Sequence, residues 1–172
     1  PQGIPFISIE DIINQSDNWE LRDKLGMLMN EAELTLFTQN MVRNFSLDNL
    51  IDYLTILNPE KIIVYVEEIL EQIQKQLEFT LSNNILIGLY LHISCLIERL
   101  IIDKRFVYYL NLEKFEIEHA DFIAMIRKVF GRVCRAYNVE IPTAEIGYLY
   151  NYIYQGESVE KQAECVEDDK SA

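Results

Sequence analysis

The chain is 172 residues long, 49% hydrophobic, and carries a formal net charge of −13. That length holds one packed domain, with or without an appendage, and the acidity argues against direct nucleic-acid contact, which needs a phosphate-neutralising surface. The three cysteines, Cys95, Cys134 and Cys165, are an odd count without metal-ligand spacing and point to free thiols in a reducing cytosol rather than a disulfide framework.

Residues 1–15 read as an inter-domain connector. Pro1, Gly3 and Pro5 break helix, Phe6-Ile-Ser-Ile9 alternates like a short extended piece, and the start has neither an initiator Met nor a signal-peptide layout, as if cut from a longer protein. A helical domain is expected over 16–156. Ser16 or Asp17 can cap a helix running through Trp19. Leu21, Leu25, Leu28, Ala32 and Leu36, joined by Phe37, Met41 and Phe45, form an apolar stripe on one helix or two. Ser46 is placed to cap a further helix to about Leu57, with Leu47, Leu50, Ile51 and Leu54 inward.

Asn58-Pro59-Glu60 then supplies an N-cap, a proline at the first helical position and an acid in the first turn. The helix it starts carries Ile62, Val66, Ile69, Ile73 and Leu77 on one side and Glu67, Glu68, Glu71, Lys75 and Glu78 on the other. Asn83 or Asn84 caps the next helix, from Ile85 to Ile102, which is apolar nearly all the way round and so belongs at the centre of a bundle. His92, Glu98 and Arg99 within it argue against a membrane span. Ile85, Gly88, His92, Cys95, Leu96 and Arg99 fall near one face. A mid-helix glycine costs about 1 kcal/mol relative to alanine, so Gly88 implies that another group comes close there. His92 on that face is either a packed core histidine or a functional one.

Residues 106–118 form a long connection with room for one short helical turn. A helix from about Ala120 to Tyr137 buries Phe122, Ile126, Val129, Val133 and Tyr137 and turns Arg127, Lys128, Arg132 and Arg135 outward, as a solvated face or a docking surface for an acidic or phosphorylated partner. His119, at the start of this helix, is expected to be exposed. Thr143 begins a last helix with Ile146, Leu149, Tyr150 and Ile153 inward, closed by Gly156. Residues 157–172 are acidic and polar, the composition of a disordered tail. No strand pattern persists, so the fold class is all-α. No metal-ligand spacing, nucleophile elbow, Cys/His signature or glycine-rich phosphate loop is present, so no catalytic residues, metal ligands or cofactors are assigned and the chain does not read as an enzyme.

Three segments carry a family resemblance, covering roughly residues 46–155. Leu91-His92-Ile-Ser-Cys-Leu-Ile-Glu98-Arg99-Leu100 resembles the His-Ile/Leu-x-x-x-Ile-Glu-Arg-Leu segment of PTS regulation domains, the PRDs of bacterial transcription regulators. Ile141-Pro142-Thr-Ala-Glu145-Ile146-Gly-Tyr-Leu149 resembles their Ile-Pro-x-x-Glu-Ile-x-Tyr/Phe-Ile/Leu helix start, and Tyr53-Leu-Thr-Ile-Leu-Asn58-Pro59 resembles the lead-in of levanase-operon-type, sigma-54-dependent regulators.

The resemblance implies a helical-bundle regulatory module, phosphorylated on histidine by PTS phosphocarriers (HPr or a sugar-specific EIIB), homodimeric and attached to the other domains of a cytoplasmic transcription regulator. It places the phospho-acceptor at His92, with Arg99 as a partner for the added charge. The family's second histidine falls at Tyr152, implying a one-site domain, and the aspartate preceding the first histidine in antiterminator relatives is Leu91 here. The alternatives are a helical dimerisation or scaffold module with a packed His92, and a histidine phosphotransfer domain that passes its phosphoryl group to an aspartate.

Overall fold

Side-chain caps set the starts of three helices. The computed structural model describes residue 26, residues 28–102 and residues 109–154, and every regular element among them is helical. Helix α1, Glu31–Tyr53, opens on a capping box: the Asn30 side chain accepts from the Glu33 N–H at 3.0 Å, and the Glu33 carboxylate accepts from the Asn30 N–H at 2.9 Å. It runs unbroken past Ser46, whose hydroxyl donates to the Val42 carbonyl at 2.8 Å instead of capping a new helix.

The buried line of α1 is Leu34, Val42, Ser46 and Leu50. The expected stripe is overturned at Leu28, 80% exposed, and at Leu36, also exposed, while Phe37, Met41 and Phe45 are half-buried. Apolar side chains are spread almost evenly round this helix, so its neighbours, not its own pattern, choose the inward face. The expectations for Ser16, Asp17, Trp19 and Leu21, for the connector and for the tail lie outside the described residues.

Helix α2, Pro59–Gln74, begins as expected, with the Asn58 side chain accepting from the Lys61 N–H at 3.2 Å. Ile62, Ile63, Val66, Ile69, Leu70 and Ile73 are buried; Leu77 falls in the following link, half-buried. Helix α3, Asn83–Ile102, is capped from Ser82, whose Oγ accepts from the Ile85 N–H at 3.3 Å, rather than from Asn83 or Asn84. Helix α4, Leu112–Glu118, is the short helix expected in the connection, entered through Asn111 in the left-handed region at φ 59°. Helix α5, Ala120–Tyr137, has its expected bounds and stops at Asn138, also left-handed at φ 52°. Helix α6 spans 143–154 of the described residues, and the Glu145 N–H donates to the Pro142 carbonyl at 3.0 Å in its first turn.

Helix α3 packs against α1 and α2, and α2 also meets α5. Leu89, Ile93, Leu96 and Ile97 of α3, Ile126 and Phe130 of α5, and Ile146, Leu149 and Ile153 of α6 are sealed in one core. Helix α3 is long and apolar enough to cross a membrane by composition. Its burial in this core, with Glu98 and Arg99 each bonded to another element, makes it the centre of the bundle.

An aromatic cluster closes the α4–α5–α6 end, and it corrects the expectation for His119. That ring is half-buried, 4.9 Å from Phe115 and 4.1 Å from Tyr150, because the α4–α5 turn points it inward. On the basic face of α5, Arg127 donates to Thr143 Oγ1 at 2.9 Å, and Arg132 pairs with Glu68 and lies over the Tyr65 ring, so two of its four cations tie α5 to its neighbours.

Candidate functional site

Helices α3 and α6 run antiparallel and touch at two levels. At the first, Tyr152 of α6 lies over Gly88 and beside His92; at the second, Glu145 of α6 meets Arg99 of α3. Tyr152 and Glu145 are seven residues apart on α6, as are His92 and Arg99 on α3, two turns or about 10 Å at 1.5 Å per residue, with Gly88 one turn further on.

Gly88 is where the expected close approach occurs. A Cβ built there would stand 1.7 Å from Tyr152 Oη and 2.7 Å from Cζ, so no other residue lets the tyrosine lie where it does. The Tyr152 ring lies nearly parallel to the His92 imidazole, with 9° between planes and 6.4 Å between centroids. Tyr152 is 42% exposed, so its ring lies at the edge of the bundle, and its hydroxyl pKa is raised by burial.

His92 is half-buried, and its Nε2 is sealed from solvent without a hydrogen-bond partner. Burial lowers its pKa from the ordinary 6.5; the Glu145 carboxylate opposes that shift and the Arg99 guanidinium adds to it. The ring therefore favours its neutral form at pH 7, in which one nitrogen carries a lone pair. Leu91 precedes it, so no adjacent carboxylate orients the ring.

Arg99 and Glu145 form an ion pair at 2.5 Å, with the Arg99 side chain 48% exposed and that of Glu145 only 2% exposed. Arg99, expected as a charge partner at the site, is thus already engaged. The second motif supplies its partner. In the sequence Glu145 stands out as a motif position and, after Thr143, as part of a helix start, where a lone acid in the first turn reads equally well as a complement to the helix dipole.

Glu98 turns the other way. Its carboxylate accepts from the backbone N–H groups of Thr55 at 2.8 Å, Ile56 at 3.0 Å and Leu57 at 2.9 Å, and from the Thr55 hydroxyl at 2.8 Å. Three successive amides of the α1–α2 link thus form a concave nest round one buried carboxylate. Burial pushes its pKa up, but the amides of Leu57, Thr55 and Ile56 together with the hydroxyl outweigh it, and the net shift is downward. The adjacent motif residues Glu98 and Arg99 therefore anchor two different elements to α3.

Among the described residues no three His, Cys, Asp or Glu side chains come together in a way that could hold a metal ion. Cys95 and Cys134 are free, half-buried thiols with pKa values raised first by burial. The result is an all-helical bundle whose central helix carries a half-buried His92 and is tied to the second motif through the Arg99–Glu145 ion pair. The family model described as PRD domain matches residues 67–155, and the chain belongs to that family.

The chain is also 23% identical over 155 residues to the transcriptional regulatory protein DagR of Salmonella typhimurium (strain 14028s / SGSC 2262), covering 88% of this chain and 16% of that protein. It spans about a sixth of the length of this relative. No solved structure matches the chain.

Proposed function

We propose that this domain is the PTS-responsive regulatory module of a cytoplasmic transcription regulator, without catalytic activity of its own, and that His92 accepts a phosphoryl group from a PTS phosphocarrier, HPr or a sugar-specific EIIB. PRD membership and the similarity to DagR support the regulatory assignment, and the lead-in at Tyr53–Pro59 supports a parent of the levanase-operon, sigma-54-dependent type. The observation that carries the acceptor assignment is the state of His92: a neutral ring with a nitrogen that the fold leaves unpaired. A purely structural histidine at this position would leave that nitrogen unsatisfied at a cost of about 1–3 kcal/mol, which an apolar side chain would avoid.

In the transfer, the bond between phosphorus and the donor side chain's atom breaks as a His92 nitrogen forms the new one. The electron pair of the broken bond stays on that donor atom, which takes up a proton, and the His92 ring releases its own proton. The product carries nearly two negative charges at the edge of an apolar bundle, so modification must repack the surrounding helices or an interface between two copies.

The burial of Nε2 favours a second reading, a scaffold module with a packed His92. Incubation with the phosphoenolpyruvate-driven PTS chain, followed by intact mass at neutral pH, separates the two. Phosphorylation predicts one added phosphoryl group, lost in His92→Ala and retained in His119→Ala. Label that survives in His92→Ala defeats the assignment, and absence of label in the wild type favours the scaffold.

A further inference from the structure

We propose that Arg99 changes partners when His92 is phosphorylated, leaving Glu145 for the phosphoryl group, and that the first turn of α6 opens as a result. Glu145 is then a positioning residue: it holds the guanidinium in place beforehand and transmits its departure afterwards. The inference rests on His92 as the acceptor.

Arg99 lies two turns from His92 on the same face of α3, and it is the cation whose charge acts on the imidazole among the described residues. Its half-exposed side chain can swing along the helix surface without unpacking the core, whereas Glu145 is held inside. A guanidinium offers five N–H donors in a planar fork that suits phosphoryl oxygens, and the phosphoryl group brings more charge than one carboxylate.

Glu145 cannot remain as it was once Arg99 leaves. It would be a buried carboxylate without its counter-ion, close to a new dianion, a combination strongly disfavoured in a low-dielectric interior. The least constrained response is at the start of its own helix. There the Glu145 and Ile146 N–H groups share the Pro142 carbonyl, and opening that turn carries the carboxylate to water. The lower half of α6 would stay in place, held by Leu149 and Ile153 in the core. Phosphorylation is thereby converted into movement at residues 141–147, beside the Arg127–Thr143 bond to α5.

The test is amide hydrogen exchange at neutral pH on the full 172-residue chain, before and after labelling by the phosphoenolpyruvate-driven PTS chain, in the wild type and in Glu145→Gln. Phosphorylated wild type should exchange several-fold faster at residues 143–147 than the unmodified protein, with 149–153 unchanged. Glu145→Gln, which keeps the side-chain shape but not the charge, should show no further acceleration on labelling and should retain its phosphoryl group longer, because Arg99 is not shared. Glu145→Asp should restore part of the response. Labelled wild type with unchanged exchange at 143–147 overturns the proposal while leaving His92 as the acceptor. Failure to label His92 removes both, and the mass measurement shows which has happened. The wild-type comparison alone decides the matter should Glu145→Gln fail to fold.

Discussion

Gly88→Ala tests the α3–α6 contact directly, because two opposed effects of similar size meet at one atom. In an isolated helix the substitution stabilises by about 1 kcal/mol. Here the new methyl would stand 1.7 Å from Tyr152 Oη, so something must move. The contact is the free end of a long side chain whose ring is already 42% exposed, so the tyrosine should swing outward rather than the helices separate. Exposing the remaining part of that ring forfeits about 1 kcal/mol of burial, roughly half of what a fully buried aromatic contributes. If the ring cannot leave, overpacking costs about 1–3 kcal/mol.

Gly88→Ala should therefore be near neutral in the wild type, or destabilising. In a Tyr152→Ala background it should stabilise by about 1 kcal/mol, because only the helix-propensity effect remains. Urea midpoints for wild type, both single variants and the double variant give a coupling of about 1–3 kcal/mol. A second readout follows from the same movement: with Tyr152 displaced, His92 regains water and its titration should move up toward the ordinary 6.5. Equal stabilisation by Gly88→Ala in both backgrounds would refute the contact.

Glu98→Ala strips the acceptor from three backbone amides and a hydroxyl of the α1–α2 link and should cost about 3 kcal/mol in urea unfolding; a loss below about 1 kcal/mol would mean that water replaces the nest freely. The Glu98 pKa is lowered on folding, so its contribution to stability is complete above 4.5 and is lost as pH falls through the folded value. The lowered His92 pKa acts in the same direction at higher pH: the unfolded chain binds the proton first, so its contribution is complete above 6.5 and is lost as pH falls from there through the folded value. His92→Phe should accordingly flatten the fall in stability between about pH 7 and 5, and an unchanged slope would contradict the burial of the ring. Sedimentation at tens of micromolar should show a homodimer, and a monomer there would remove that expectation. Deleting residues 157–172 should leave the melting temperature unchanged, since the segment holds few apolar side chains; a marked drop would mean that it docks.

The elements whose boundaries carry their own chemistry were legible in the sequence. Asn58-Pro59 begins α2 because cap and proline act locally, and α5 ran from Ala120 to Tyr137 as read because its apolar and basic residues occupy opposite sides. Helix α1 was not legible in the same way. Its apolar residues surround it, and Ser46, a good N-cap in isolation, instead bonds back to Val42 inside a longer helix. His119 failed for a related reason. Its surroundings are Phe115 and Tyr150, which lie four residues before it and on another helix, beyond what local polarity can show.

At the site, the close approach implied by Gly88 was readable, since a glycine inside a strong helix needs a reason, but its occupant was not. Tyr152 is 64 residues away in sequence and is aligned with Gly88 only because α3 and α6 run antiparallel. That alignment also separates two roles that the motif Ile-Glu-Arg-Leu compresses. Glu98 is committed to the α1–α2 link and would be needed to fix that link whether or not His92 ever carried a phosphoryl group. Arg99 is paired with Glu145 while its own side chain stays half-exposed, which is the arrangement the proposed exchange of partners requires. These two residues therefore tie the bundle together, while the proposed phosphoryl transfer rests on a neutral His92 and on whether Arg99 can be drawn away from Glu145.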